Sequence, residues 1–246
     1  MILEVCVDSY ESLLIAKEAG ANRIELCSAL NLGGLTPSYG LMKQASTQRD
    51  IEIFVMIRPR SGDFLYDDLE FETMKNDIVL AKEMGFDGVV TGMLLRNGRI
   101  DLKRLEEVVT IANPLKVVFH RAFDEAKEPE GDIPRLIEMG VCRILTSGQQ
   151  ENALLGVEYI REIQVQYGDQ ITIMPGAGVN SSNVTTIYEK TGCTHYHLSG
   201  KVDVGSAMVY RKNTEKSCIK ICQASVEKAD HTRIAQVRSV LNNLYG

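Results

Sequence analysis

Leu3-Glu4-Val5-Cys6-Val7 is a strand-length apolar run that ends at Asp8, and Tyr10 to Ala19 behind it carries Leu13 and Leu14 before Gly20 stops the helix. The same unit returns seven times. Its further strands read Arg23-Ile24-Glu25-Leu26-Cys27, Ile53-Phe54-Val55-Met56-Ile57, Gly88-Val89-Val90-Thr91, Lys116-Val117-Val118-Phe119-His120, Arg143-Ile144-Leu145-Thr146, Thr172-Ile173-Met174 and His195-Tyr196-His197-Leu198. Strands alternating with helices imply parallel βα units. Eight of them in 246 residues match the size and rhythm of a single-domain α/β protein, a (β/α)8 TIM barrel spanning residues 1–246. Such a barrel carries its active site at the carboxyl ends of its strands. Here those ends read Asp8, Cys27, Arg58-Pro59-Arg60, Gly92, His120-Arg121, Ser147-Gly148, Gly176-Ala177-Gly178 and Ser199-Gly200.

The helices between the strands are legible as well. Residues 38–48 follow Thr36-Pro37, where proline suits a first helical turn. Residues 67–84 carry Leu69, Met74, Ile78 and Ala81 on one stripe. Asp101 is placed to cap residues 102–112, and helices are expected over 132–139, 152–167 and 181–191, the last capped by Ser181 or Ser182. After the eighth strand the rhythm breaks. Residues 201–227 are polar without a clear period, and an amphipathic segment with Ile234, Val237 and Leu241 follows as the last helix, 229–244. A loop of that length reads as a lid, a binding loop or an oligomer contact, or else as a disordered connector.

Composition limits the function classes. With 44% hydrophobic and 24% charged residues the chain can bury a large core. Its net charge of −6 suits neither wrapping nucleic acid nor docking on anionic lipid. No apolar stretch approaches the roughly 20 residues of a membrane span. A strand expected from Ile2 leaves no room for a signal peptide, so a cytoplasmic location is the expectation. The six cysteines form no C-x-x-C pair, so neither a disulfide framework nor a structural zinc site is signalled. Cys142 and Cys193 read as packing residues, and Cys218 with Cys222 makes only a weak metal pattern.

Alternation brings two of the thiols together. Side chains two apart on a strand share a face, so Glu4, Cys6 and Asp8 point one way, and Arg23, Glu25 and Cys27 point one way. Charged side chains are costly against an apolar helix layer, which turns both sets inward. Cys6 and Cys27 on neighbouring strands then lie within reach of one ion. Soft thiolate and thioether donors favour Cu(I), with Met56 on the third strand as a further donor. The competing reading is that both are small buried hydrophobes.

A second set suits an enzyme. Arg58, Arg60 and Arg121 can hold a carboxylate or phosphate through bidentate hydrogen bonds, and His120 or Glu25 can serve as acid or base. Arg58 and Arg60 share a face with Met56 by alternation, and His120 shares one with Ala122 and Asp124, the carboxylate partner. Gly176 and Gly178 after the seventh strand, and Ser199-Gly200 after the eighth, offer backbone N–H groups where barrels frequently bind phosphate, and Ser147-Gly148 after the sixth joins them as an anion-binding pair. His197 shares a face with Ser199 and is expected to look into the same lumen. Tight turns and satisfied core histidines would explain these residues without a ligand.

Glu4-Val5-Cys6-Val7-Asp8-Ser9, Arg23 to Cys27, Gly33-Gly34-Leu35-Thr36-Pro37-Ser38, Arg58-Pro59-Arg60 with Gly62-Asp63-Phe64, Phe119-His120-Arg121-Ala122-Phe123-Asp124 and Leu145-Thr146-Ser147-Gly148 together resemble the CutC copper-homeostasis family. The resemblance runs from the first strand through the eighth and fades after Lys201. It implies a cytosolic (β/α)8 protein, often a homo-oligomer, linked to copper tolerance and Cu(I) binding, with Cys6 and Cys27 as suggested ligands and no generally accepted reaction. The alternative is a barrel enzyme acting on a small anionic or phosphorylated metabolite.

Overall fold

Each apolar run forms a strand in the computed structural model, which describes residues 1–210 and 225–244. They are β1 (Ile2–Val7), β2 (Arg23–Leu26), β3 (Glu52–Met56), β4 (Gly88–Thr91), β5 (Lys116–Phe119), β6 (Val141–Thr146), β7 (Thr172–Pro175) and β8 (His195–Leu198). All pair in parallel in the order β7-β6-β5-β4-β3-β2-β1-β8. The two ends of that order, β7 and β8, lie side by side and bring the sheet round into a nearly closed (β/α)8 barrel. Pairing of β1 with both β2 and β8 sets Glu4 opposite Arg23 on one side and His197 on the other. Residues from the two ends of the chain therefore share one layer of the lumen.

The helices form the outer ring: α1 (Tyr10–Glu18), α2 (Tyr39–Ala45), α3 (Asp68–Glu83), α4 (Leu102–Ala112), α5 (Ile133–Glu138), α6 (Val157–Tyr167), α7 (Val184–Thr191) and α8 (His231–Asn243). Their caps explain where they begin. Ser9, Ser38, Asp67, Asp101 and Asp230 each accept a backbone N–H of the first turn. At α3 the Glu70 side chain also reaches back to the Asp67 N–H, completing a capping box. Asp67→Ala is expected to lower the unfolding free energy by about 1 kcal/mol, measured by urea denaturation.

Several expected boundaries shift. Pro37 precedes the Ser38 cap of α2 and lies outside its first turn. Leu69 leaves the α3 stripe at 80% exposure, and Phe71 takes its place beside Met74, Ile78 and Ala81. A 3-10 turn over Pro129–Asp132 leads into α5. Neither serine caps α7, because Asn180 accepts from the Ser182 N–H and Asn183 turns back onto the Asn180 N–H. The polar stretch read as a structureless loop opens and closes with strands. β9 (Lys201–Gly205) pairs antiparallel with β10 (Ser225–Ala229), and Ala229 N–H and Lys228 fasten the pair to Ser12 and Glu11 of α1. Cys218 and Cys222 lie outside the described residues.

Two apolar cores follow from the alternation. The larger one fills the space between strands and helices, with Leu3, Val5, Ile24, Val55, Val89, Phe119, Ile144 and Tyr196 turned outward. The smaller one lies inside the barrel and consists of Cys6, Cys27, Phe54, Met56, Val90 and Val118. Phe54 fills the lumen because Gly88 faces it across the β3–β4 pair.

Candidate functional site

The lumen below the strand ends holds an ionic layer. Glu4 is fully buried, and its Oε2 accepts from Arg23 Nη1 at 3.2 Å, while Arg143 lies 3.7 Å away, close enough for attraction but not for a hydrogen bond. Both guanidiniums stack on Phe54, at 5.3 and 4.4 Å from the ring centre. Glu4 Oε1 lies 2.9 Å from His197 Nδ1, and His197 Nε2 lies 3.7 Å from Glu25 Oε2. Burial alone would raise the Glu4 pKa. The His197 hydrogen bond and the charges of His197, Arg143 and Arg23 overcome it and hold the group down to about 2. Burial likewise opposes a charged His197, yet Cys6, Glu25 and Glu4 around the ring push its pKa well above the usual histidine value. Glu25 goes the other way, raised by burial and by the nearby Glu4, and its Oε1 has no partner among the described residues.

Above this layer opens a cavity of about 410 Å³ at the carboxyl ends of the strands. Glu25, Arg58, His120, Arg121, Gly178, His197, Ser199 and Gly200 line it, together with Cys6 and Met56. Both Cys6 and Cys27 point into the barrel, but they reach different places. The Cys6 sulfur, a Glu25 carboxylate oxygen and a His197 ring nitrogen lie within 4.8 Å of one another. Cys27 does not join that group. Its thiol donates to Glu25 Oε2 at 3.4 Å and is fully buried behind Gly34 and Met56. Burial, then the charges of Glu25 and Cys6, push its pKa well up, which keeps it a thiol.

Other expected residues are drawn elsewhere. Arg60 points away from the cavity, because Glu70 of α3 accepts from its Nε at 2.5 Å and Asp63 from its Nη2 at 3.0 Å. Asp124 does not continue the face of His120, because the chain turns into a 3-10 turn over Arg121–Phe123 after β5. Its carboxylate instead accepts from Thr146 Oγ1, Ser147 N–H and Arg121 Nε, tying the β5 and β6 loops together. Ser147 accepts from Arg121 Nη2. Gly148 packs on the Gly156 backbone and Gly176 on Leu145, so close that a Cβ at either would clash. Those three are lining residues of loops rather than of the cavity. Sequence reasoning missed Leu30, Glu125, Val179 and Lys201, which also line it. Lys201 directly after Ser199-Gly200, Val179 directly after Gly178 and Glu125 directly after Asp124 carried a positional signal, and Leu30 did not.

The His120 ring has a defined tautomer. Its Nδ1 accepts the Ala122 N–H at 3.1 Å, so the proton of the neutral ring resides on Nε2. Burial, then the charge of Arg58, lowers its pKa to about 3. Nε2 is buried and has no hydrogen-bond partner among the described residues.

Comparison with known proteins places the chain in a lineage. The CutC family model matches residues 1–202. The human copper homeostasis protein cutC homolog is 40% identical over 245 residues, which cover 99% of this chain and 90% of that protein. A CutC family protein of Photobacterium profundum is 47% identical over 211 residues, 86% of either chain. A solved CutC structure from Streptococcus agalactiae superposes with a TM-score of 0.75 at 35% identity, over 80% of this chain and 97% of that one. Phosphoribosyl anthranilate isomerase from Thermotoga maritima, at TM-score 0.59 and 13% identity over 99% of this chain and 100% of that one, shares the fold alone.

Proposed function

The chain belongs to the CutC family, and from that premise we propose that it serves copper homeostasis by binding Cu(I) through Cys6 and His197 at the floor of the cavity. The observation that supports this is the approach of the Cys6 sulfur, a Glu25 oxygen and a His197 nitrogen to within 4.8 Å of one another. A hydrogen bond from Nδ1–H to the Glu4 carboxylate, 2.9 Å away, would fix the ring and leave Nε2 to face an ion. Carboxylate-oriented histidines of this kind are a recurrent support for metal ligands. Thiolate and imidazole suit Cu(I), whereas a carboxylate does not. Glu25 therefore serves as the charge partner that accepts the proton which His197 Nε2 must release. Cys27 is a second sulfur, fully buried beside Glu25 and reachable only after it surrenders a proton held by its surroundings. No described helix is long and apolar enough to cross a membrane, and a cytoplasmic site of action, where thiols stay reduced, accords with this chemistry.

The test is an anaerobic Cu(I) titration against a competing chelator near neutral pH. Cys6→Ser is expected to weaken binding by about 100-fold or more, equivalent to roughly 2.7 kcal/mol, and His197→Gln to a similar degree. Cys27→Ser should cost less than about tenfold. Because binding needs a thiolate and an unprotonated Nε2, affinity should fall as pH is lowered. Unchanged affinity in Cys6→Ser would remove Cys6 from the site and the proposal with it.

A further inference from the structure

Arg58 is a buried guanidinium, 6% exposed, that makes no ion pair with a carboxylate among the described residues. Its hydrogen bonds run to backbone carbonyls: Nη1 donates to Leu32 and Gly34, and Nη2 to Gly62, at 2.8 to 3.1 Å. Carbonyl oxygens solvate such a cation without neutralising it, and a buried charge lacking a counter-charge is costly. Its Nε makes no hydrogen bond among the described residues, and the Tyr66 hydroxyl lies against the guanidinium. Beside it stands the other unsatisfied donor of the cavity, the Nε2–H of neutral His120. The two flank one ring: the Phe64 centroid lies 5.0 Å from the His120 ring centre and 5.0 Å from the Arg58 guanidinium carbon. All three residues line the same cavity.

We propose that this wall binds a small organic carboxylate, whose oxygens accept from Arg58 Nε–H and His120 Nε2–H. One cation and one neutral donor match a single negative charge. A phosphate dianion would require a second available cation, and the neighbouring ones are taken: Arg121 by Asp124, Lys201 by Glu227 and Arg60 by Glu70. The apolar side chains of Leu30, Met56 and Val179 in the same cavity suit the carbon body of such an acid. Donation from a largely buried pair is stronger than at the surface, because the local dielectric is low and one donor is charged. This site goes beyond the copper reading and shares no ligand with it.

The experiment follows the His120 Nε2–H signal of the copper-free protein by NMR during titration with acetate, butyrate, pyruvate and benzoate, with inorganic phosphate as a separate arm. At least one carboxylate is expected to move the signal with saturation. His120→Phe should weaken that binding by about tenfold or more, in line with the loss of one hydrogen bond to a charged group. His120→Gln, which keeps an N–H near the position of Nε2, should restore most of it. Arg58→Lys keeps the charge but removes the Nε–H, and should weaken binding comparably; thermal melts of each variant report whether the fold is kept. Cu(I) affinity should be unaltered in His120→Phe, so failure here and failure of the copper reading are separate results. The proposal is overturned if none of the four carboxylates moves the signal at about 50 mM, if phosphate binds and they do not, or if His120→Phe binds them as the wild type does.

Discussion

Glu4→Ala is expected to destabilise the protein by about 3–5 kcal/mol, because it leaves three buried cationic groups facing each other without their shared carboxylate. Arg23, Arg143 and His197 converge on this one side chain from β2, β6 and β8. Arg23 retains Glu52 on the rim of the barrel, while Arg143 has no other ion pair among the described residues. Both remain pressed on Phe54, so neither can swing out to water without emptying the lumen. Glu4→Gln keeps an acceptor for Arg23 and should fall between the alanine variant and the wild type. Urea unfolding of the three proteins measures the differences, and a change below about 1 kcal/mol for Glu4→Ala would show that the layer is held by packing instead.

The same carboxylate sets an acid limit. Its folded pKa of about 2 lies below the ordinary value of 4.5. Its stabilisation is therefore complete above about pH 4.5 and is lost as pH falls toward 2. His120 and His195 begin the decline earlier. Burial, then the charges of arginines around them, holds them down to about 3 and about 4, against an ordinary value of 6.5. The unfolded chain thus gains protons below pH 6.5 that the folded one refuses. Stability measured from pH 8 downward should start to fall near pH 6.5 and fall more steeply below pH 4.5, and the first part should flatten in His120→Phe.

Gly88→Ala is the second large expected effect, about 3 kcal/mol of destabilisation or failure to fold. An added Cβ would stand 2.2 Å from Phe54 Cε1 and 2.7 Å from the Lys116 carbonyl oxygen. Phe54 cannot yield, because it is fully buried under the two guanidiniums, and the carbonyl belongs to the neighbouring strand. The glycine serves closeness here rather than backbone freedom. A thermal melt of Gly88→Ala within about 2 °C of the wild type would contradict this packing argument.

Much of the architecture was readable from side-chain chemistry along single strands. Alternation alone turned Glu4, Cys6, Arg23 and Glu25 inward, since a charge cannot be placed cheaply against the apolar helix layer. Asp101 announced α4 because a short acceptor before an apolar period has one good use. Where local chemistry ran out, extrapolation failed for local reasons too. Alternation carried past β5 put Asp124 beside His120, but a 3-10 turn intervenes and hands the carboxylate to β6.

By itself, the sequence determined that this chain makes eight βα units and that Glu4, Cys6, Arg23, Glu25, Cys27 and Met56 face the lumen. Which of those groups meet was decided only by the tertiary structure. Cys6 finds Glu25 through the register of β1 with β2 and His197 because β8 pairs with β1, and not because any spacing along the chain relates the three. Arg58 and Arg60, two residues apart, part company because one is enclosed by the carbonyls of the β2 loop while α3 offers the other a carboxylate. Strand periodicity is a property of neighbours in sequence, whereas the partner of a buried charge is set by the register and closure of the whole sheet.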